Sequence, residues 1–438
     1  MSKKLHVVSL GCSKNLVDTE VMMGRLKFYE LTNEADEADV IIVNTCGFID
    51  AAKSESINTV LDLHENRKED STLVMAGCLS ERYQDELAEQ IPEVDIFTGV
   101  GDYEQIDKLL ESKESRFSDE VYLIDDAERV VTNSSYHAYI KISEGCNQTC
   151  SFCAIPSFKG KLNSRSLDSI VKEVESLVKK GFYDFSFVSQ DTSSYLRDES
   201  INDGLIHLIR RIELIEGIKS ARLLYLYPLT TTIKLLYEIN KSKLFHNYFD
   251  MPLQHINDEM LSLMKRGSNK KKTLELMNYM RALPNSFVRT GLIVGHPHES
   301  EDIFDELCDF TKEFGFDRVS VFEYSDEEDT ASFSFDLKVD PKTIEQRAEI
   351  LGAIASEGLT DSLEKKVGTK IKLIVNGESD EHEFLLSAKE LLWADDIDGE
   401  IYVNDKEIDE ELEFGKIYTA RVTELSGDKL IACIIKDD

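Results

Sequence analysis

Short apolar runs alternate with amphipathic segments along most of the chain, and the pattern changes character twice. Over residues 1–115 the runs are Leu5–Leu10, Val40–Val43, Leu73–Ala76 and Val94–Phe97. Between them lie the helical patterns VDTEVMMGRLKFYEL, SESINTVLDLHENR and SERYQDELAEQI. Apolar strands alternating with helices predict a parallel sheet covered on both faces, here a small doubly wound α/β domain.

A second series starts at residue 132. Strands are expected at Ala138–Ile142, Asp184–Ser189, Ala221–Tyr227, Tyr248–Pro252, Phe287–Val294 and Arg318–Tyr324, with helical patterns such as LDSIVKEVESLVKKG between them. Strict alternation favours a partial (β/α) barrel, with its site at the C-terminal ends of the strands, over a doubly wound open sheet. The stretch Ser325–Val367 holds an acidic loop, DEEDT, and one long helical pattern after Pro341, and reads as a connector. Beyond Gly368 only short strands remain (KIKLIV, EFLLSAK, GEIYV, GKIYTARVTEL and KLIACII), which predicts a small antiparallel β-barrel. Three units follow, over residues 1–115, 132–365 and 367–438.

Composition narrows the setting. The 438 residues carry 50 Lys+Arg against 84 Asp+Glu, a net charge of −34. No apolar stretch approaches the ~20 residues of a membrane span, and the N-terminus runs into a strand pattern with no room for a signal peptide. A cytoplasmic protein that does not act on a membrane is expected. So acidic a surface repels the nucleic-acid backbone and attracts a basic partner, although acidity also serves plain solubility. From Glu364 to Asp438 there are 20 acidic and 10 basic residues, a local net of −10, the wrong sign for a phosphate groove.

Eight cysteines in a reducing compartment point to metal or redox chemistry wherever they cluster. Cys12, Cys46 and Cys78 each follow a predicted strand of the first unit, at the edge where open α/β sheets build their crevice. Free cysteines are often buried small hydrophobes, but the repeated strand-end placement, twice beside a glycine (Gly11, Gly77), favours a metal site. Three ligands leave one metal position open. Cys308, in IFDELCDFTKEF, and Cys433, in KLIACII, occupy ordinary core contexts.

The strongest signal is Cys146-Asn-Gln-Thr-Cys150-Ser-Phe-Cys153, just after the first strand of the second series. Three closely spaced thiolates can hold three irons of a 4Fe-4S cluster and leave the fourth for a small molecule. A zinc knuckle would need a fourth ligand at finger spacing; the next Cys is Cys308 and the next His is His207. This spacing resembles that of the radical S-adenosylmethionine (radical SAM) superfamily. GLIVGHPHE (Gly291–Glu299) is similar to its GxIxGxxE stretch, with Gly291, Ile293, Gly295 and Glu299 intact and GHPHE departing from the usual wording around the Pro.

The resemblance extends over nearly the whole chain to the methylthiotransferases, in the branch that modifies a ribosomal protein. It rests on GCSKNLVDTE, VNTCGFI, AGCL, KISEGCNQTCSFCAIPSFKGKLNSRS, DMPLQH, MKRG and YSDEEDT. It implies an auxiliary-cluster domain, a radical SAM core and a TRAM barrel, with two 4Fe-4S clusters on Cys12/Cys46/Cys78 and Cys146/Cys150/Cys153. It also implies that S-adenosylmethionine is cleaved to a radical that abstracts hydrogen from an aspartate β-carbon of ribosomal protein uS12, followed by sulfur insertion and methylation. Gln190 and Asp191 are the candidates for the methionyl amino group and Lys159 and Arg165 for its carboxylate, a surface role being the plain alternative. Ile293, Gly295 and Glu299 would lie near the adenine. A flavodoxin or ferredoxin would supply electrons. A tRNA adenosine is the alternative substrate; the acidic barrel argues against direct tRNA binding. His296 and His298 read as solvated turn residues, and Trp393 as either a partner anchor or a core residue.

Overall fold

In the computed structural model, which describes residues 2–124 and 129–437, the first unit is a five-stranded parallel sheet. Its strands are β1 (Lys4–Ser9), β2 (Glu30–Leu31), β3 (Val40–Thr45), β4 (Thr72–Gly77) and β5 (Ile96–Thr98), in the order β2-β1-β3-β4-β5. All six residues of β3 are buried, which is why VIIVNT is a continuous apolar run rather than an alternating one. Two helical expectations were too long. The helix after β1 ends at Arg25, and Glu30–Leu31 pairs with β1 as an edge strand. The segment SERYQDELAEQI breaks at Tyr83 (φ −128°, ψ 38°) into helices Cys78–Arg82 and Gln84–Gln90.

The second unit is a partial barrel. Its first strand, β6 (His137–Lys141), is followed by a ribbon of β7 (Ser143–Glu144) and β8 (Asn163–Ser164) that brackets the Cys146–Cys153 loop. Then come β9 (Asp184–Val188), β10 (Ser220–Leu223), β11 (Phe245–Asp250), β12 (Phe287–Val294) and β13 (Arg318–Glu323). They pair in parallel in the order β13-β12-β11-β10-β9-β6. Order in space follows order in sequence with no reversal, so the sheet is singly wound like a barrel, open between β6 and β13. The third strand is shorter than the apolar run implies: beyond Leu223 the chain turns, and Tyr225 takes a left-handed φ of +59°. Helix Pro341–Glu364 packs along β13.

The last unit is a closed five-stranded barrel of β14 (Lys370–Glu378), β15 (Leu386–Glu390), β16 (Ile401–Lys406), β17 (Ile417–Ser426) and β18 (Lys429–Ile434). It is not purely antiparallel, because β16 and β18 close it as a parallel pair.

Each flanking unit takes one end of the partial barrel. The C-terminal barrel covers the N-terminal ends of the strands: Lys389 pairs with Asp184 at 2.7 Å and Arg289 with Asp398 at 3.2 Å. The Tyr139 hydroxyl donates to the Asp395 carbonyl at 2.7 Å. Trp393 is 1% exposed, with Arg318 over its ring and Phe287 beside it, so it is core of this interface. The first unit meets the open side and the C-terminal ends. There Asp18 pairs with Lys141, and Arg129 with Glu20 at 3.2 Å. Cys308 and Cys433 pack in apolar surroundings.

Candidate active site

The first thiol triad is built by glycine. Cys12 caps the helix Ser13–Arg25, Cys46 leaves β3, and Cys78 opens the helix after β4. At Gly11 (φ +87°) a Cβ would lie 2.8 Å from Cys46 Cβ and 2.9 Å from its Sγ, so only glycine lets that sulfur in beside Cys12. Asn15 ties the rim together. Its amide donates to the Leu10 and Thr45 carbonyls, each at 3.1 Å, and its Oδ1 lies 3.5 Å from the Cys78 thiol. Ser56 holds Cys46 by both amide (3.0 Å) and carbonyl (3.1 Å). Burial pushes the Cys78 thiol up to about 12, and the nearby Cys12 and Cys46 add to it. Burial likewise raises Cys46, next to Cys12.

The second triad sits in the loop after β7. The Cys146 amide donates to the Gly160 carbonyl at 3.1 Å, and the Cys153 amide to the Cys150 carbonyl at 3.2 Å. Burial pushes Cys146 and Cys153 up to about 12 each, and Cys150 beside them adds to both. The Arg266 guanidinium donates to Cys150 Sγ at 3.2 Å and lies over the Tyr227 ring, whose hydroxyl is 3.5 Å from the same sulfur. Sequence reasoning did not assign Arg266 or Tyr227; the signal available for Arg266 was its place in MKRG.

Both donor sets fit an iron–sulfur cluster. Each is three sulfurs held by backbone contacts; burial makes Cys46 and Cys78 in one, and Cys146 and Cys153 in the other, costly to ionise alone, and thiolate–iron bonds would supply the missing positive charge. Among the described residues no three His, Cys, Asp or Glu side chains sit close enough to share a single metal ion. A cluster instead takes its three thiolates on separate irons.

The other expected residues divide into two groups. Gln190 follows β9 with its amide nitrogen donating to Glu144, while its buried Oε1 has no hydrogen-bond partner among the described residues. An orphaned acceptor there fits an incoming ammonium group. Ile293 packs with Met260 and Met264 against Phe152 of the cysteine loop. Gly295 has φ +81°, and a Cβ on it would meet Ile344 at 2.4 Å. Its amide donates to Glu299 at 3.0 Å, and Arg347 donates to the same oxygen at 2.9 Å. Burial pushes Glu299 up to about 7.

Asp191, Lys159 and Arg165 are already engaged. Asp191 accepts from Gln148 (2.8 Å), Ser193 (2.9 Å) and Ser194 (2.6 Å), so it anchors the cysteine loop. Arg165 is spent on the Lys141 carbonyl, Glu173 and Ser169, away from any carboxylate pocket. Lys159 is 3% exposed and faces Asp18 and Glu144 at the junction with the first unit, near Cys78. His296 is not solvated: it is fully buried, 3.4 Å from the Ser151 hydroxyl and edge-on to Tyr324, and burial lowers it to about 4. His298 pairs with Asp336 at 3.1 Å.

Comparison with known proteins agrees with this layout. Residues 4–99 match the Uncharacterized protein family UPF0004, 140–311 the Radical SAM superfamily and 367–435 the TRAM domain. The solved radical S-adenosylmethionine methyltransferase TsrM of Kitasatospora setae shares the fold, with TM-score 0.52 and 14% identity over 74% of this chain and 72% of its own. Fold and thiol triads thus define a radical SAM enzyme joined to a TRAM barrel. Over 432 residues the chain is 68% identical to ribosomal protein uS12 methylthiotransferase RimO of Sulfurimonas denitrificans, covering 99% of this chain and 98% of that protein. It is 56% identical to RimO of Campylobacter jejuni over 430 residues, 98% of each chain. The chain belongs to the RimO family of radical SAM methylthiotransferases, enzymes that use S-adenosylmethionine and 4Fe-4S clusters. No helix among the described residues is long and apolar enough to cross a membrane.

Proposed function

We propose that this enzyme adds a methylthio group to the β-carbon of an aspartate in ribosomal protein uS12. The observation that supports the reading is a thiol triad in each of two units that share an interface, joined by the Lys14–Tyr225 contact on the turn after β10, whose Tyr227 meets Cys150, and by the Asp18–Lys141 pair. In this reading Cys146, Cys150 and Cys153 hold the radical-generating cluster, and Cys12, Cys46 and Cys78 hold the auxiliary one. With both clusters and S-adenosylmethionine bound, the first supplies a deoxyadenosyl radical and the second an open iron for sulfur.

The chain's own residues position and exclude. Gln190 Oε1 accepts from the methionyl amino group. Ile293 and Gly295 give the adenosyl side an apolar wall and a tight strand end, which Glu299 and Arg347 hold in place. Asp191, Lys159 and Arg165 act by positioning other groups. Arg266 and Tyr227 keep the half-buried Cys150 hydrogen-bonded. A cleft of about 650 Å³ opens beside Cys12, bounded by Tyr139, Tyr225, Arg289 and Asp396, at the meeting of all three units. It gives a polypeptide loop a route to the interface.

The acidic barrel favours a basic protein over RNA. Its exposed residues include Asp380, Glu381, Glu383, Glu407, Asp409, Glu410 and Glu411, with Phe384 and Phe414 standing out among them. Such a face speeds encounter with a basic ribosomal protein and repels a phosphate backbone. We further infer that the enzyme works in the cytoplasm and takes its electrons from a flavodoxin or ferredoxin. The test is anaerobic incubation of the reconstituted enzyme with S-adenosylmethionine, sulfide and reductant, in the presence of both uS12 and unmodified tRNA. A methylthio mass increment on an aspartyl peptide of uS12 is the expected result; an increment on tRNA adenosine would overturn it.

A further inference from the structure

Lys14 lies two residues beyond Cys12, in the first turn of the helix Ser13–Arg25, and is 8% exposed. Its ammonium lies over the Tyr225 ring, 3.6 Å from the centroid. The other buried ammonium groups at this interface are matched by carboxylates: Lys141 and Lys159 both by Asp18 and Glu144, and Lys53 by Glu327. Lys14 differs, since among the described residues its ammonium has neither a hydrogen bond nor an ion pair; the Cys12 thiol and the Glu144 and Asp250 carboxylates act on it only from beyond ion-pair distance. An ammonium has three N–H donors, and a ring face satisfies them only in part. The side chain is buried but its Nζ is not sealed off, so an anion can reach this ammonium.

Its place tells which anion. The turn that carries Tyr225 also carries Tyr227, whose hydroxyl meets Cys150 of the second triad. Asn15, beside Lys14 in sequence, receives Cys78 of the first. The ammonium therefore lies beside Cys12 of the first triad and packs on the turn whose Tyr227 meets the second. Tyr225 is held there by strain, at φ +59°, with its amide donating to Asp250 at 3.0 Å.

We infer that Lys14 binds the side-chain carboxylate of the substrate aspartate and so determines specificity for that residue. This rests on the reading of an aspartyl protein substrate given above. The β-carbon to be modified is bonded directly to that carboxylate, so a salt bridge to Lys14 fixes the reacting carbon to within one bond. An asparagine amide offers no charge and only one acceptor oxygen, and its NH₂ opposes the ammonium. The methionyl carboxylate of S-adenosylmethionine has the same chemistry and is the rival occupant.

The test uses the reconstituted holoenzyme, wild type, Lys14→Met and Lys14→Arg, with a uS12 peptide carrying the target aspartate or asparagine. Dissociation constants for both peptides and for S-adenosylmethionine are measured by fluorescence anisotropy and calorimetry. Wild type should prefer the aspartyl peptide by about tenfold to a hundredfold, the range of a charge-assisted hydrogen bond. Lys14→Met should bring that ratio near one with affinity for S-adenosylmethionine unchanged, and Lys14→Arg should retain most of it. Equal binding of the two peptides by wild type overturns the inference, and that comparison needs no variant to fold. So does an undiminished ratio in Lys14→Met, or a loss confined to S-adenosylmethionine. Failure of wild type to modify uS12 at all would instead count against the functional reading.

Discussion

Arg82 and Glu327, 245 residues apart, form a salt bridge of 2.8 Å in which each side chain is 2% exposed. It joins the first unit to the loop that follows β13. Lys53 donates to the same carboxylate oxygen at 2.9 Å, and Arg82 also holds the carbonyls of Gly47 and Glu328. The loop DEEDT, which in sequence reads as part of an acidic connector, clasps the first unit to the partial barrel. Glu327→Gln leaves the buried Arg82 without its counter-charge, while Lys53 keeps Asp50 at 3.5 Å, at a cost of about 3–5 kcal/mol when a buried pair is broken. We expect faster proteolysis between the units. Methylthiolation should fall more than tenfold, on the order of 1.4 kcal/mol or above, while deoxyadenosine formation persists. Equal loss of both would show that Glu327 supports the radical site itself.

The two triads should be separable by mutation. Cys150→Ala, in the triad proposed to hold the radical-generating cluster, should abolish deoxyadenosine formation. Cys46→Ala should leave deoxyadenosine formation and stop sulfur transfer. Each variant should carry about half the iron and acid-labile sulfide of wild type, since one cluster of two is lost. Methylthiolated product from Cys46→Ala would exclude the two-cluster reading.

Arg266 should set the reduction potential at Cys150. A cationic donor 3.2 Å from the sulfur favours the more negative, reduced state of whatever cluster that sulfur binds. Arg266→Met should lower the potential by tens of millivolts and slow reductive cleavage of S-adenosylmethionine, with little change in peptide affinity. An anaerobic titration followed by electron paramagnetic resonance measures it. An unchanged potential would leave Arg266 only its packing on Tyr227.

How far the sequence foretold these features depends on whether a residue's partner is local. Cys146, Cys150 and Cys153 share one loop, and Gly11–Cys12 or Gly77–Cys78 are adjacent, so spacing alone exposes them. Most strands of both sheets were legible as short apolar-rich runs, whereas the two-residue edge strand Glu30–Leu31 was hidden inside a helical pattern. What the sequence concealed is how charges pair at long range. Lys159 and Arg165 looked available because nothing near them in sequence neutralises them; Asp18, 141 residues away, and Glu173, one helix on, do so in space. His296 looked like a turn residue because Tyr324 and Phe335, which bury it, follow the next strand. The partners of the DEEDT loop, Arg82 and Lys53, were hidden for the same reason.

Acid should loosen the joint between the partial barrel and the C-terminal barrel. His137 is 3% exposed, with Nε2 2.9 Å from the Ser186 hydroxyl and Nδ1 3.4 Å from Asp395. Burial lowers it from 6.5 to about 3, outweighing Asp184 and Asp395, so it is neutral in the folded enzyme near pH 7. A histidine whose folded value is depressed stabilises fully above its unfolded value and loses that contribution as pH falls through 6.5 towards 3. Over that window it costs up to about 1.4 kcal/mol per pH unit. His246 and His255 are lowered in the same way and add to the slope. The melting temperature should therefore drop between pH 7 and pH 5, and His137→Gln should shrink the drop by one histidine's share. A drop of the same size in the variant would place the titration elsewhere.

Gly295 shows how closely the second half of the barrel is fitted to the long helix. It sits at φ +81°, and an added Cβ would meet Ile344 Cγ1 at 2.4 Å and Cδ1 at 2.9 Å. Two costs are therefore combined in Gly295→Ala: left-handed backbone strain of about 1–3 kcal/mol and a steric clash of similar size. They can be told apart, because Ile344→Ala removes the clash and leaves the strain. On its own Ile344→Ala opens a cavity beside Gly295 and should cost about 2–5 kcal/mol. In the double variant the new methyl partly fills that cavity, so the total should be less than the sum of the singles. A cycle of melting temperatures over the four proteins measures the coupling. Strict additivity would mean that Gly295 is required for its backbone alone. Coupling would mean that the helix Pro341–Glu364 sets the shape of the strand end proposed above to face the adenosyl group, with Arg347 and Glu299 completing the same contact.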